Sequence, residues 1–392
     1  IAQAGVGGSE VRGYDVTFDI DPAVVSIAST TADVTELGYL STVAGTAFYV
    51  LDKGAGEYTV SCAILGGSDG AIGDGDLFTV VFTPAAEGIS DIDITTLKLR
   101  DVNNVPIDVG GNDGVVQIDC TPPTMDAIVE AEGECYNAAP TFATFTFRDD
   151  VNLDLAEYQI DADGWNTIFT GYDGTVWPDP GWALPGFGGL SEGSHTVYFR
   201  VKDDAGNWNG EGAPQPNTYS WQFIKDTVAP AAPTDFAAAP GHDKVHLTWT
   251  NPTGDASFTG VEIRVVGWGD YPQYGTPGPA APSYPADETE GTYVTQTALE
   301  AYDDNPRTPR DIYYYAAFAY DCAGNYSVSA TTAQDRATSY WLGDINPVTV
   351  GDGNIGILDL APFSLAFGSV QYGTAWNAES DFGPTDDYSR FG

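Results

Sequence analysis

Runs in which apolar and polar residues recur with a period of two constrain this chain more than any other feature. They occur at 14–20 (YDVTFDI), 77–82 (LFTVVF), 141–147 (TFATFTF), 195–201 (HTVYFRV), 244–249 (KVHLTW) and 312–320 (IYYYAAFAY). Each is rich in β-branched or aromatic residues and is bounded by Gly, Pro, Asp or Asn, the signature of a strand between turns. Successive side chains of a strand point to opposite faces, so each run offers one face to a core. No helical spacing intervenes until the segment after Asp352 (IGILDLAPFSLAF). Strands that follow one another without helices pack as sandwiches, so the predicted fold class is all-β, with tandem β-sandwich domains and a short helical C-terminal segment.

The 392 residues suggest three or four domains at roughly 100–150 residues each. Proline-rich joints mark the boundaries, because proline resists both ladder pairing and helix and stiffens a linker. Such joints lie at 119–125 (DCTPPTM) and 226–234 (DTVAPAAPT), and an aromatic stretch at 339–342 precedes the last unit. The expected units are 1–119, 120–226, 227–340 and 341–392. A 42% share of hydrophobic residues suits packed domains rather than disorder. The 56 acidic residues against 14 basic ones give a formal charge of −42, which repels nucleic acid and anionic lipid and attracts cations. Turn aspartates that bond their own backbone account for part of this excess. No run of about 18 apolar residues exists to form a membrane-spanning helix. The chain opens at Ile1 without a signal-peptide pattern, so export would mean that the signal has been removed. Of the four cysteines, Cys120 and Cys135 flank a short acidic segment and form the candidate disulfide, while Cys62 and Cys322 read as small buried hydrophobes. None lies in a C-x-x-C pair, which argues against zinc.

Particular residues carry resemblances to known families. In 1–119, the stretches 12–22 (RGYDVTFDIDP), 73–83 (GDGDLFTVVFT) and 97–118 (LKLRDVNNVPIDVGGNDGVVQI) resemble a cohesin domain. That family normally has one or two strands before the Arg-Gly-Tyr position, whereas 1–11 (IAQAGVGGSEV) is small, Gly-rich and unlike a strand. Missing strands would leave an open edge or an exposed apolar groove. In 120–226, EYQI at 157–160, Gly164-Trp165 and 190–207 (LSEGSHTVYFRVKDDAGN) resemble a bacterial immunoglobulin-like repeat, and its D-x-A-G-N ending is a hairpin in which Gly206 supplies a positive φ. In 227–340, Pro233, Trp249, the candidate tyrosine corner at Tyr313 and Tyr315, and a second D-x-A-G-N at 321–325 resemble a fibronectin type III domain. The tail, with GDIN at 343–346 and GDGNIGILDL at 351–360, resembles a partial dockerin. That likeness implies a Ca2+ loop in which Asp344 and Asn346 take positions 1 and 3, and Asp352, Gly353, Asn354 (by its carbonyl) and Asp359 take 5, 6, 7 and 12. Residues 347–350 interrupt it. A second loop begun at Asp381 runs out at Gly392, so the chain is either truncated or completed by something else.

Catalytic signatures are not found. The three histidines, His195, His242 and His246, pair with no motif-placed Ser, Cys or metal ligand, and no G-x-S-x-G, H-E-x-x-H or P-loop occurs. The expectation is a non-enzyme. Trp165, Trp177 and Trp182 crowd a Gly/Pro-rich stretch, and Trp268, Tyr271 and Tyr274 another. Such rings either stack on sugars or cap their own sandwich. Trp249 is expected in the core and Trp182, between two prolines, outside it. Asn325-Tyr326-Ser327 is a glycosylation sequon. Three functions remain: an extracellular structural subunit that polymerises with copies of itself; a scaffold or surface anchor of a polysaccharide-degrading complex that docks cohesin- or dockerin-type partners; and a polysaccharide-binding adhesin. For the first, the expected route is strand addition at the first unit, with 1–11 and 368–392 as candidate donors.

Overall fold

The computed structural model describes residues 2–4, 10–209, 219–269, 280–341, 343–346 and 351–366. The described chain is a row of all-β units with one short helix.

In the first unit a large sheet runs in the order Pro106–Ile107, Gly88–Asp101, Val11–Asp19, Glu57–Ile64, Thr46–Gly54, and Gly114–Ile118 also pairs with Gly88–Asp101. Facing it is a narrow sheet of Ala2–Ala4, Gly75–Val80 and Val34–Glu36. Val16, Phe18 and Val60 from the large sheet meet Leu77 and Phe78 from the narrow one in a shared core. Two expectations need correction. Residues 2–4 do form a strand, antiparallel to Gly75–Val80. The strand containing Arg12 is not open, since Glu57–Ile64 and Gly88–Asp101 cover its two edges. A stretch of three residues suffices for a ladder because pairing uses only backbone groups.

In the second unit Thr124–Met125, Thr146–Ile160, Gly193–Asp203, Tyr219–Lys225 and Cys135–Tyr136 form one sheet, with Asn166–Pro178 also on Thr146–Ile160. A ribbon of Thr141–Phe142 and Trp182–Ala183 backs it. The run 141–147, expected as one strand, is broken. Phe142 and Phe145 are both fully buried, and two residues three apart cannot share a face of a continuous strand. The chain therefore leaves the ribbon after Phe142 and enters the main sheet at Thr146.

The third unit packs the sheet Thr234–Gly241, Lys244–Thr250, Ala301–Asp304 against Thr292–Thr297, Phe258–Gly267, Ile312–Asp321, Gln334–Thr338. Trp249 is 4% exposed, as its place in an alternating strand requires. Tyr313 donates its hydroxyl to the carbonyl of Pro309, which makes it the tyrosine corner. The strand Ile312–Asp321 is buried on both faces because Tyr313, Tyr315 and Ala317 face the core while Ile312 and Tyr314 pack with Tyr340 ahead of the tail. The tail ends in the helix Ile357–Ala366.

The disulfide joins Cys135 to Cys322, not to Cys120. Cys120 is free and exposed, and Cys62 is free and buried. The partners lie 187 residues apart, with Cα atoms separated by 5.6 Å. One sits on the edge of the second unit's sheet and the other in the third unit's D-C-A-G-N turn, so docking of the units selects the pair.

Candidate functional site

The narrow sheet of the first unit is too small to roof the large one. Between them lies an open cleft of about 530 Å³, lined by Val16, Phe18, Phe78, Val80, Ile94 and Val115 among others. Four strands and the loop 110–113 supply its walls, and Asn112 is its sole polar side chain. Val115 beside it is 63% exposed. Its strand, Gly114–Ile118, has Gly88–Asp101 as its one strand partner among the described residues, so its other edge carries unpaired backbone groups. The cleft holds no titratable side chain and is suited to an apolar occupant rather than to proton or metal chemistry. Of the two consequences expected for a shortened sandwich, the groove is present, and the open edge lies at Gly114–Ile118 rather than at the strand containing Arg12. The alternation of 77–82 and 14–20 already marked its walls in the sequence, but the shortness of the roof is a tertiary fact.

In the tail, Asp344 is fully buried. Its carboxylate accepts the N–H groups of Asp352 (2.8 Å) and Gly353 (3.0 Å). Gly351, at φ 70°, is required here, because a Cβ would sit 2.5 Å from Asp344 Oδ2. Asp359 accepts from Ile345, Asn346 and Gly356 at 2.7–3.0 Å, and these amides hold its carboxyl below the usual carboxylate range despite its burial. Asp352 and Asn354 are exposed, and Asp352 bonds the N–H of Asn354. The loop is thus closed by amides, and the carboxylates of Asp344, Asp352 and Asp359 do not converge as one ion would need. Residues 347–350 lie outside the described residues. Ile357, Leu358 and Leu365 leave the helix's apolar surface exposed.

Trp177 and Trp182 pack against the second unit's own core. Trp182 lies flat on Phe145, with ring centroids 4.4 Å apart, and packs on Phe142 and Tyr158, so it stands outside the fully buried core, as expected, but is half-buried against it. Trp177 packs on Phe145, Phe147 and Phe169. Trp165 and Trp208 sandwich the Arg200 guanidinium at 4.0 and 4.7 Å. The three expected loop rings therefore do not form a common open face. Trp268 packs with Tyr314, whereas Tyr271 and Tyr274 lie outside the described residues. In the sequon, the Asn325 amide already donates to the Asp226 carbonyl and to Asp321.

Each histidine has a carboxylate neighbour that sequence spacing did not show. His246 meets Asp303 at 2.6 Å and His242 approaches Asp344 at 3.5 Å. His195 is buried between two acceptors, Asp161 Oδ2 at 2.7 Å and the Ser191 carbonyl at 2.9 Å. Only the imidazolium donates from both nitrogens. Burial opposes that charge, yet the bonds to Asp161 and Ser191 prevail and raise the pKa above 6.5. A raised histidine pKa contributes stability that is complete below about pH 6.5 and lost as the pH climbs through the raised value. Calorimetric melts should therefore show the second unit losing about 1 kcal/mol between pH 6 and pH 9, a modest figure because Asp161 is half in water. His195→Gln should flatten that slope, and an unchanged slope would overturn the assignment.

No protein-family model matches the chain, and no curated protein matches it. Among solved structures, titin domains A168–A170 match at 10% identity with a TM-score of 0.37, covering 86% of this chain and 97% of theirs. Fibronectin(III)-like modules of Clostridium thermocellum CbhA match at 12% and 0.31, covering 56% and 94%. A cohesin module from a Clostridium perfringens family 33 glycoside hydrolase matches at 17% and 0.24, covering 28% and 75%. With each of these scores below 0.5, the chain's function has to come from its own residues.

Proposed function

We propose that this chain is an extracellular structural protein, not an enzyme, that assembles by strand donation, the cleft of one copy receiving residues 368–376 of the next. The open apolar cleft beside the unpaired edge of Gly114–Ile118 carries this reading. An added strand would satisfy the edge backbone while its alternate side chains fill the cleft. The donor sequence GSVQYGTAW sets Val370, Tyr372, Thr374 and Trp376 at a period of two and contains no charged residue, so entering the cleft buries no charge. Contacts that run from one molecule to the next without closing build filaments. The Cys135–Cys322 disulfide fits an oxidising, extracellular setting.

Light scattering on the intact chain tests this. Oligomers should grow with protein concentration and with salt, because copies of charge −42 repel until screened. Deleting 368–392 should leave monomers, and Val115→Asp should do the same by placing a charge on the receiving edge. Equal masses for the intact and deleted chains would refute self-assembly by this route. A monomer whose cleft captures a cohesin- or dockerin-type protein would instead favour a scaffold.

For the tail we propose one calcium ion, bound when Asp352 turns inward beside Asp344 and Asp359. Calorimetry on the intact chain should lose one binding event in Asp352→Ala, and an unchanged isotherm would refute it.

A further inference from the structure

The two D-x-A-G-N turns do the same mechanical task. In each, the aspartate carboxylate accepts the backbone and side-chain N–H of the asparagine, at 2.7 and 2.8 Å in Asp203–Asn207 and at 2.9 and 2.8 Å in Asp321–Asn325. Gly206 and Gly324 allow the turn with φ of 98° and 79°. The asparagine amide then grips the carbonyl of the residue that leads into its unit: Asn207 holds Asp119 and Asn325 holds Asp226. The motif is a clip on the connection between one unit and the next.

The two clips differ at their second position. In the later one it is Cys322, bonded to Cys135, so a covalent tie fixes that junction. In the earlier one it is Asp204, and the junction instead gathers Asp119, Asp149 and Asp203, with one carboxylate oxygen from each within 4.8 Å of the others. Among the described residues no other such trio occurs, and no Lys, Arg or His forms an ion pair with any of the three. Asp203 is fully buried. Asp149 Oδ2 accepts the Val151 N–H, but its Oδ1 is shielded from solvent and accepts no hydrogen bond. A shielded carboxylate oxygen without a donor is costly, and it is independent of the clustering itself. Three carboxylates thus meet with no basic side chain among the described residues paired to them.

We propose that Asp119, Asp149 and Asp203 bind one calcium-class divalent cation that clamps the first unit to the second. The ligand set is all oxygen, which selects a hard cation over zinc or copper. Three carboxylates from separate segments, with water completing the shell, suit the adaptable coordination of calcium better than the strict octahedron of magnesium. The clamp is independent of strand donation and of the tail loop.

The test is calorimetric titration of the chelator-treated full chain with calcium at about 0.15 M ionic strength, a salt level that screens diffuse surface binding. Asp149→Asn keeps the shape of the side chain and removes its charge. It should weaken one binding event at least about tenfold, since even outer partners of metal ligands are worth roughly 10–100-fold, and leave any tail event unchanged. Calcium should also raise the melting temperature of the intact chain more than that of the variant. Without calcium the variant should melt no lower than the intact chain, because a repulsion has been removed, so lost binding cannot be ascribed to unfolding. Identical isotherms and identical calcium-induced shifts for the two chains would overturn the proposal, as would a calcium-free variant that is unfolded.

Discussion

Replacing Trp221 with alanine is expected to lower the stability of the second unit by about 3–5 kcal/mol, the range for large aromatic deletions from a core. The indole is 1% exposed. It meets Phe142 edge-on at 4.9 Å, stacks near Phe223 at 5.4 Å and touches Tyr136 at 5.6 Å. Its Nε1 donates to the Glu130 carbonyl at 3.2 Å. Alanine would leave both a cavity and a half-buried carbonyl without its donor, and the surrounding rings belong to several strands that cannot all collapse inward. Equilibrium denaturation followed by fluorescence of the remaining tryptophans checks the value. A loss below about 1 kcal/mol would mean that the aromatic cluster repacks around the gap.

Asp304→Ala should cost the third unit a comparable amount, about 3–5 kcal/mol, because it strands the half-buried Arg307 cation and a buried phenol. Asp304 is 6% exposed; it accepts the Arg307 guanidinium and, at 2.8 Å, the hydroxyl of Tyr315, which is itself fully buried. Burial and the adjacent carboxylate push the Tyr315 pKa upward, so the phenol stays protonated and donates. Removing Asp304 leaves Arg307 and Tyr315 without their acceptor. Arg307→Met added to Asp304→Ala should recover part of the loss, since a buried ion pair replaced by apolar groups is often near neutral. Denaturation of the two single variants and the double variant closes the cycle, and strictly additive losses would contradict the pairing.

The sequence by itself determined the strands and much of the local chemistry. Alternation places a residue in or out through its neighbours two positions away, so Trp249, Tyr313 and the walls of the first unit's cleft were legible before any contact was known. Gly206 was legible because only glycine enters that φ freely. The same local logic failed where burial is set from a distance. Residues 141–147 alternate, yet Phe142 and Phe145 both turn inward because a ribbon and a main sheet share one core. Trp182, framed by prolines, stays outside the fully buried core, but that it lies flat on Phe145 was set by strands far apart in sequence.

Only the tertiary structure decided how the units are joined. Cys135 finds Cys322 across 187 residues, and Asp119, Asp149 and Asp203 arrive from a linker and two strands. A side chain's own segment fixes the direction in which it points, but docking of the segments fixes what stands opposite. Disulfides, carboxylate clusters and the width of a roof over a cleft depend on that second quantity, and no periodicity in the chain encodes it.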